Sequence, residues 1–303
     1  MMRILRILQG VLLDTMGGAA TSALMICTLS GILLAVPYDV RNPLDSVSLI
    51  LLNNPAACFI RNIHYWSAQL LLVFTLLHII DHFIQNSENK PPAGIWMRLT
   101  FSIPVLLFAM ISGFILKGDA DSLSAFRILS SLLEKLPWIG SVLKVTFLGD
   151  ESNLGLIYVH HITTATLILF IVLYEHARKI WPSAAGLLIA VFITSLLAFF
   201  FFFSAGNETG KGPLYFVGFQ EILRWFSRPG LTWLILAIPL AIILLIPRID
   251  TRWRKVTKYF LLVFIGSYLI LTLIGTFFRG ESQSVLFHPL NLIIFVYLGF
   301  KKS

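Results

Sequence analysis

The chain is 303 residues long, 57% hydrophobic and only 13% charged, with a mean hydropathy of +0.85. A soluble globular domain carries about a quarter of charged residues, so this composition excludes one and describes a membrane protein with several spans. The formal charge of +8 does not indicate nucleic acid, because no interleaved aromatic and basic signature of an RNA-binding face is present; it fits a topology signal beside membrane lipid.

In chain order, the opening MMRILRILQG is basic and partly apolar, lacks a small-residue cleavage site and is followed by Asp14. It reads as an interfacial helix rather than a signal peptide. Apolar runs long enough for a hydrocarbon core of about 30 Å lie near 18–36, 62–84, 100–116, 156–177, 184–204, 231–247 and 257–277, with a shorter eighth near 286–300. They are rich in Leu, Ile and Phe without two-residue alternation, the pattern of helices rather than barrel strands. The expected fold is therefore an all-α integral membrane protein of about eight transmembrane helices. Cys27 and Cys58 form neither a metal-binding nor a disulfide pattern. The dense basic block RIDTRWRKVTK, 248–258, places the N-terminus in the cytoplasm when eight spans alternate.

The second run, RNIHYWSAQLLLVFTLLHIIDHF, carries His64 and His78 fourteen positions apart. On an α-helix this spacing turns the second ring to within about 40° of the first, with a rise of about 21 Å. The fourth run holds His160, His161 and His176. His161 and His176 differ by about 60° in phase, whereas His160 and His176 lie about 160° apart, so His161 and His176 are taken as the pair and His160 as packing. An ionisable side chain inside a membrane costs about 3 kcal/mol or more on insertion scales and calls for a partner. Spans two and four run parallel, which sets His64 level with His161 and His78 level with His176. This is the arrangement that two stacked haems with bis-histidine ligation require. Helix–helix hydrogen bonding or proton movement is the alternative use of such histidines.

At these residues the chain resembles cytochrome b, the dihaem subunit of quinol:cytochrome c and quinol:plastocyanin oxidoreductases. The segments that carry the resemblance are TLSGILLAVPYDV (28–40), RNIH with LLHI, SGFIL (112–116), SSLLEKLPWIGSVLK (130–144), GPLYFVGFQEILRW (212–225) and LILTLIG (269–275). It implies a dihaem four-helix bundle over 1–182 and a C-terminal transmembrane region over 183–303. It places two b-type haems, an outer low-potential one on His64 and His161 and an inner high-potential one on His78 and His176, with Arg61 on a haem propionate. It further implies an inner quinone site, for which Asp14, Asp81, His82, Arg178 and Lys179 are the candidates; His82 is expected to serve there, not as a ligand. Iron-sulfur or multihaem c-type cytochrome subunits, a dimer or larger complex, and a bacterial inner membrane are also implied.

The chain departs from the family at the outer face. Where the family's Pro-Glu-Trp-Tyr segment supplies a proton-accepting glutamate, this chain has Gly212, Pro213, Leu214 and Tyr215, and a proline cannot take a proton. Glu221, Asp119 and Asp121 are the substitutes at hand. Lys117, Gly118 and Asp119 replace a Pro-Trp-Gly turn, and Ala23 replaces the cysteine that anchors a covalent third haem in the plastid-like branch, so that haem is not expected. The expected function is a transmembrane electron carrier between a quinone pool and a periplasmic redox partner, with a non-standard or lost outer quinol site. A complete bifurcating subunit and a haem-free proton-conducting or structural bundle are the alternatives.

Overall fold

The computed structural model describes residues 2–87, 91–178, 180–201, 214–225 and 229–277. It is 83% helix, and no strand occurs among the described residues. The helices are α1 (Met2–Ala35), α2 (Pro43–Asn53), α3 (Pro55–Ile84), α4 (Ala93–Ile115), α5 (Ala120–Glu134), α6 (Gly140–Phe147), α7 (Gly155–Val159), α8 (Thr166–Ala177), α9 (Ala184–Phe200), α10 (Leu214–Trp225), α11 (Pro229–Leu245) and α12 (Thr251–Phe277); a π-helical turn, His160–Ala165, joins α7 to α8. Among the described residues, five helical segments are long and apolar enough to cross a membrane: Thr15–Ala35, Pro55–Ile84, Ala93–Ile115, Gly155–Ala177 and Trp253–Leu273. The runs expected near 184–204 and 231–247 form α9 and α11 of 17 residues each, about 25 Å long. The eighth run lies outside the described residues, so eight spans remain an expectation.

The opening segment, expected as an interfacial helix, is helical, and α1 runs unbroken from Met2 into the first span. No proline interrupts MRILRILQGVLLD, and its isolated Gly10 is tolerated within a helix.

The chain divides into two compact units. The first comprises residues 1–87, 101–128 and 142–208. Within it α3 packs along α1, and α9 lies against both. The start of α3 is set by Asn54, whose side chain accepts the N–H groups of Ala56 (2.9 Å) and Ala57 (3.3 Å), followed by Pro55 in the first turn; both are standard devices for an N-terminus. In α9 the buried residues Gly186, Ala190, Thr194 and Ala198 recur every four positions. This small-residue stripe lets α9 approach α1 so closely that a Cβ on Gly186 would collide with the backbone of Gly18 and Ala19. Lipid offers no hydrophobic drive between spans, so close backbone packing of this kind holds them together.

Before α5, Asp119 accepts the backbone N–H of Ser122 at 2.9 Å and pairs with Lys117, which makes it the cap of that helix. The second unit comprises residues 88–100, 129–141 and 209–303. There α10 packs on α12, Gly218 meeting Tyr268 and Thr272 and Gly275 meeting Val217 and Glu221, while Trp96 donates its indole N–H to the carbonyl of Ile243 at 2.9 Å.

Candidate metal centres

The first unit brings the four singled-out histidines together as two pairs. The rings of His64 on α3 and His161 in the π turn have centroids 6.2 Å apart; those of His78 and His176 lie 6.1 Å apart. Two metal–nitrogen bonds of about 2 Å each, with the radii of two five-membered rings, sum to about 6 Å. Each pair is therefore spaced to take one metal ion between two imidazoles.

The His64–His161 pair is held by a motif that occurs twice. Nδ1 of His64 donates to the carbonyl of Cys27 at 2.8 Å, with Ser30 Oγ at 3.3 Å and Cys27 Sγ at 3.6 Å. Nδ1 of His161 donates to the carbonyl of Ala109 at 2.9 Å, with Ser112 Oγ at 3.1 Å. In α1 and in α4 the acceptor carbonyl stands four residues before a glycine and the serine immediately before it: Cys27, Ser30 and Gly31, then Ala109, Ser112 and Gly113. A Cβ on Gly31 would stand 2.9 Å from Cε1 of His64, and one on Gly113 2.7 Å from Cε1 of His161. The glycine thus admits the ring and the carbonyl orients it. With Nδ1 protonated and engaged, Nε2 is left to bind a metal, the usual arrangement behind a ligating histidine.

The His78–His176 pair is built differently. Gly17, fourteen residues before Gly31, sits against His78, where a Cβ would lie 2.9 Å from Cε1. Nδ1 of His78 is buried without a hydrogen-bond partner among the described residues. A third imidazole joins this pair: His82 lies with its ring centroid 4.6 Å from that of His78 and 6.3 Å from that of His176.

Fifteen residues separate His161 from His176, one more than separate the pair on α3, and a regular α-helix would leave those two rings about 60° out of phase. The π turn His160–Ala165 absorbs the extra residue, because i→i+5 bonding takes up one residue more than an α turn. Both helices thereby present histidines at the same effective spacing. His160 packs against Phe108 and Phe147, and its Nε2 donates to the carbonyl of Thr146 at 2.9 Å.

The remaining candidates are scattered. Arg61 is half-buried on α3, one turn before His64. Asp81 is buried, and its carboxylate accepts the Gln85 amide at 2.7 Å. Arg178 is exposed in a left-handed conformation, φ 55°, at the end of α8. The side chains of Asp14 and Lys179 lie outside the described residues, as do Gly212, Pro213 and His288. Of the three such candidates whose side chains are described, Asp81, His82 and Arg178, the structure joins His82 to the histidine cluster. The glycines Gly17, Gly31 and Gly113 were not singled out in the sequence, although the fourteen-residue spacing of the first two repeats that of His64 and His78 and the Ser-Gly pair occurs in both helices.

The cytochrome b/b6 family pattern matches residues 11–176, and the chain belongs to this family. The menaquinol:cytochrome c reductase cytochrome b subunit of Geobacillus thermodenitrificans is 28% identical over 141 residues, covering 46% of this chain and 63% of that protein. The cytochrome b6 of Heliobacterium mobile is 24% identical over 167 residues, 53% of this chain and 78% of that one. The chain thus spans less than two thirds of the length of the first of these relatives. Among solved structures, a chain of a hyperthermophilic respiratory Complex III matches with a TM-score of 0.73 at 19% identity, covering 94% of this chain and 89% of that chain, a likeness of fold. Family membership implies b-type haem bound through histidines. The residues present fit that group: paired imidazoles at the required spacing, Nδ1 atoms oriented by carbonyls at His64 and His161, and glycines that leave room for the rings where a Cβ would intrude.

Proposed function

We propose that this chain is the dihaem b-type cytochrome subunit of a quinol-linked membrane complex, carrying electrons between a quinone pool and a redox partner outside the cytoplasm. The observation that carries the reading is the stacking of two imidazole pairs, 6.2 and 6.1 Å between ring centroids, on parallel helices with the same effective histidine spacing. His64 and His161 would hold the outer haem and His78 and His176 the inner one, with Arg61 placed to bind a propionate as a guanidinium binds a carboxylate. When bound, these groups supply one-electron redox chemistry. The protein's own part is to hold the imidazole tautomer through Nδ1 and to keep the pockets dry.

Residues 1–182 form the haem-binding part and 183–303 the C-terminal part of this reading. Quinone is handled on the inner side, where His82 and the charged groups at the ends of α3 and α8 can exchange protons with water. The outer quinol site is non-standard, because Pro213 stands where a carboxylate is needed and Asp119 is engaged as a helix cap with Lys117. Iron-sulfur or multihaem c-type subunits complete the complex in a bacterial inner membrane, with the N-terminus in the cytoplasm. The second reading, a complete bifurcating reductase, is favoured by the named activity of the Geobacillus relative.

The test is a redox titration of the purified complex in detergent, with and without a quinol analogue. Two bis-histidine b centres of which only the inner responds support the electron carrier. A response at both centres, with quinol oxidation dependent on an iron-sulfur partner, establishes the bifurcating reading. Absence of a Soret band overturns both.

A further inference from the structure

The inner centre contains one imidazole more than two axial positions require. His78 and His82 are four residues apart on one face of α3, and their Nε2 atoms are 3.3 Å from each other. Ligand atoms of His78, His82 and His176 all lie within 4.8 Å of one another, so the three can share one metal ion.

The local backbone explains why His82 is held in this position. Helix α3 ends in a turn in which Asn86 takes a positive φ of 53°, a conformation that Asn tolerates better than most residues. The N–H of Ser87 then bonds back to the carbonyl of His82 at 3.0 Å, and that of Asn86 to the carbonyl of Phe83 at 3.4 Å. These are the two reverse bonds of a Schellman motif, with His82 as the residue clasped by the cap. The same turn delivers the Ser87 hydroxyl, itself buried, to Nδ1 of His82 at 2.5 Å. With Nδ1 engaged, Nε2 of His82 faces the cluster. His82 thereby meets the criterion that His64 and His161 meet, an Nδ1 fixed by a neighbour and an Nε2 left for metal. His78, the ligand expected from spacing, lacks such a neighbour for Nδ1 among the described residues.

Distances to the opposite ligand do not separate the two. From His176 the ring centroids of His78 and His82 are 6.1 and 6.3 Å away. We propose that His82 is an alternative axial ligand of the inner haem, able to replace His78 opposite His176. The proposal rests on the two-haem reading above. No bond other than the iron–nitrogen bond changes, and the iron keeps its oxidation state while one neutral imidazole takes the place of another. The exchange requires a shift comparable to the 3.3 Å between the two Nε2 atoms, within reach of side-chain rotation at the last turn of a helix.

The experiment counts b haem per chain in the purified protein by pyridine haemochrome and reads axial ligation by electron paramagnetic resonance. The wild type and the variants His78→Ala, His82→Ala, His78→Ala/His82→Ala and His64→Ala are compared. Two haems in the wild type and one in His64→Ala establish the starting reading; any other result there overturns that reading, and the proposal with it. Given that start, His78→Ala is expected to keep two haems with a low-spin bis-imidazole signal, and the double variant to keep one. A His78→Ala protein that retains the outer haem, and so is folded, but has lost the inner one overturns the proposal.

A second measurement avoids the His78 variants. His82→Ala is expected to lose its inner haem to an apomyoglobin trap several-fold faster than the wild type, because no adjacent imidazole recaptures the iron, with outer-haem loss unchanged. Equal inner-haem loss rates overturn the proposal as well.

Discussion

At the scale of single residues, the glycines that face histidines are the most exacting positions. Gly31 and Gly113 leave less than 3 Å between an added Cβ and the imidazole Cε1, below any van der Waals contact. Gly31→Val and Gly113→Val are each expected to displace a ring and lower the b haem count from two per chain to one, with the inner haem retained; difference spectra of the purified variants check this. Asp119 offers a different test. Burial would raise its carboxyl, but the Lys117 ammonium and the Ser122 N–H outweigh burial and hold it below the usual carboxylate value. Its stabilisation is therefore complete above the ordinary value near pH 4 and is lost as pH falls through the depressed one. Asp119→Ala is expected to cost about 1 kcal/mol at pH 7, as for other lost caps. The gap from wild type should narrow in unfolding curves below about pH 4.

At the scale of elements, the histidine spacing on α3 was legible from sequence because a regular helix converts separation directly into phase. The spacing in the fourth span was legible only in part. A rigid α-helix leaves His161 and His176 about 60° apart, and nothing in HHITTA identifies a π turn in advance. Two single-residue deletions separate the contributions. Removing Thr163 takes the extra residue out of the π turn and is expected to leave both haems bound. Removing Leu169 from α8 rotates His176 by about 100° relative to His161 and is expected to eliminate the inner haem. Haem content per chain decides it, and equal loss in both would show that the π turn does not compensate the spacing. The Schellman cap around His82 was equally hidden, since QNS differs little from many polar loops and its effect lies in a positive φ at Asn86.

At the scale of the whole molecule, charge asymmetry predicts an orientation, which hydropathy cannot do. The basic block at 248–258 is expected on the cytoplasmic side, and the loop with Ser152 between α6 and α7 on the other. In a background lacking Cys27 and Cys58, a membrane-impermeant maleimide should label Ser152→Cys in intact cells and Lys255→Cys only after lysis; both positions are exposed. The reverse pattern would invert the topology. The all-helical membrane class followed from composition alone, because long apolar runs have few other solutions in lipid. The proposed change in quinol chemistry did not, because it was read from the resemblance at Pro213, which lies outside the described residues.

The repeated carbonyl, serine and glycine arrangement behind His64 and His161 also creates an electrical difference between the two centres. An imidazole whose Nδ1 proton is drawn toward a carbonyl is a more basic donor through Nε2 and favours the more highly charged state of the metal. The outer centre has two such rings, while at the inner one the Nδ1 of His78 is without that bond among the described residues. The outer centre is therefore expected to titrate at the lower potential. On the proposed two-haem reading, electrons entering at the His64–His161 centre would run downhill toward the His78–His176 centre, on a slope set by the hydrogen bonding of His64, His161 and His78. That slope can do work against the membrane potential, at about 2.3 kcal/mol per charge for each 100 mV.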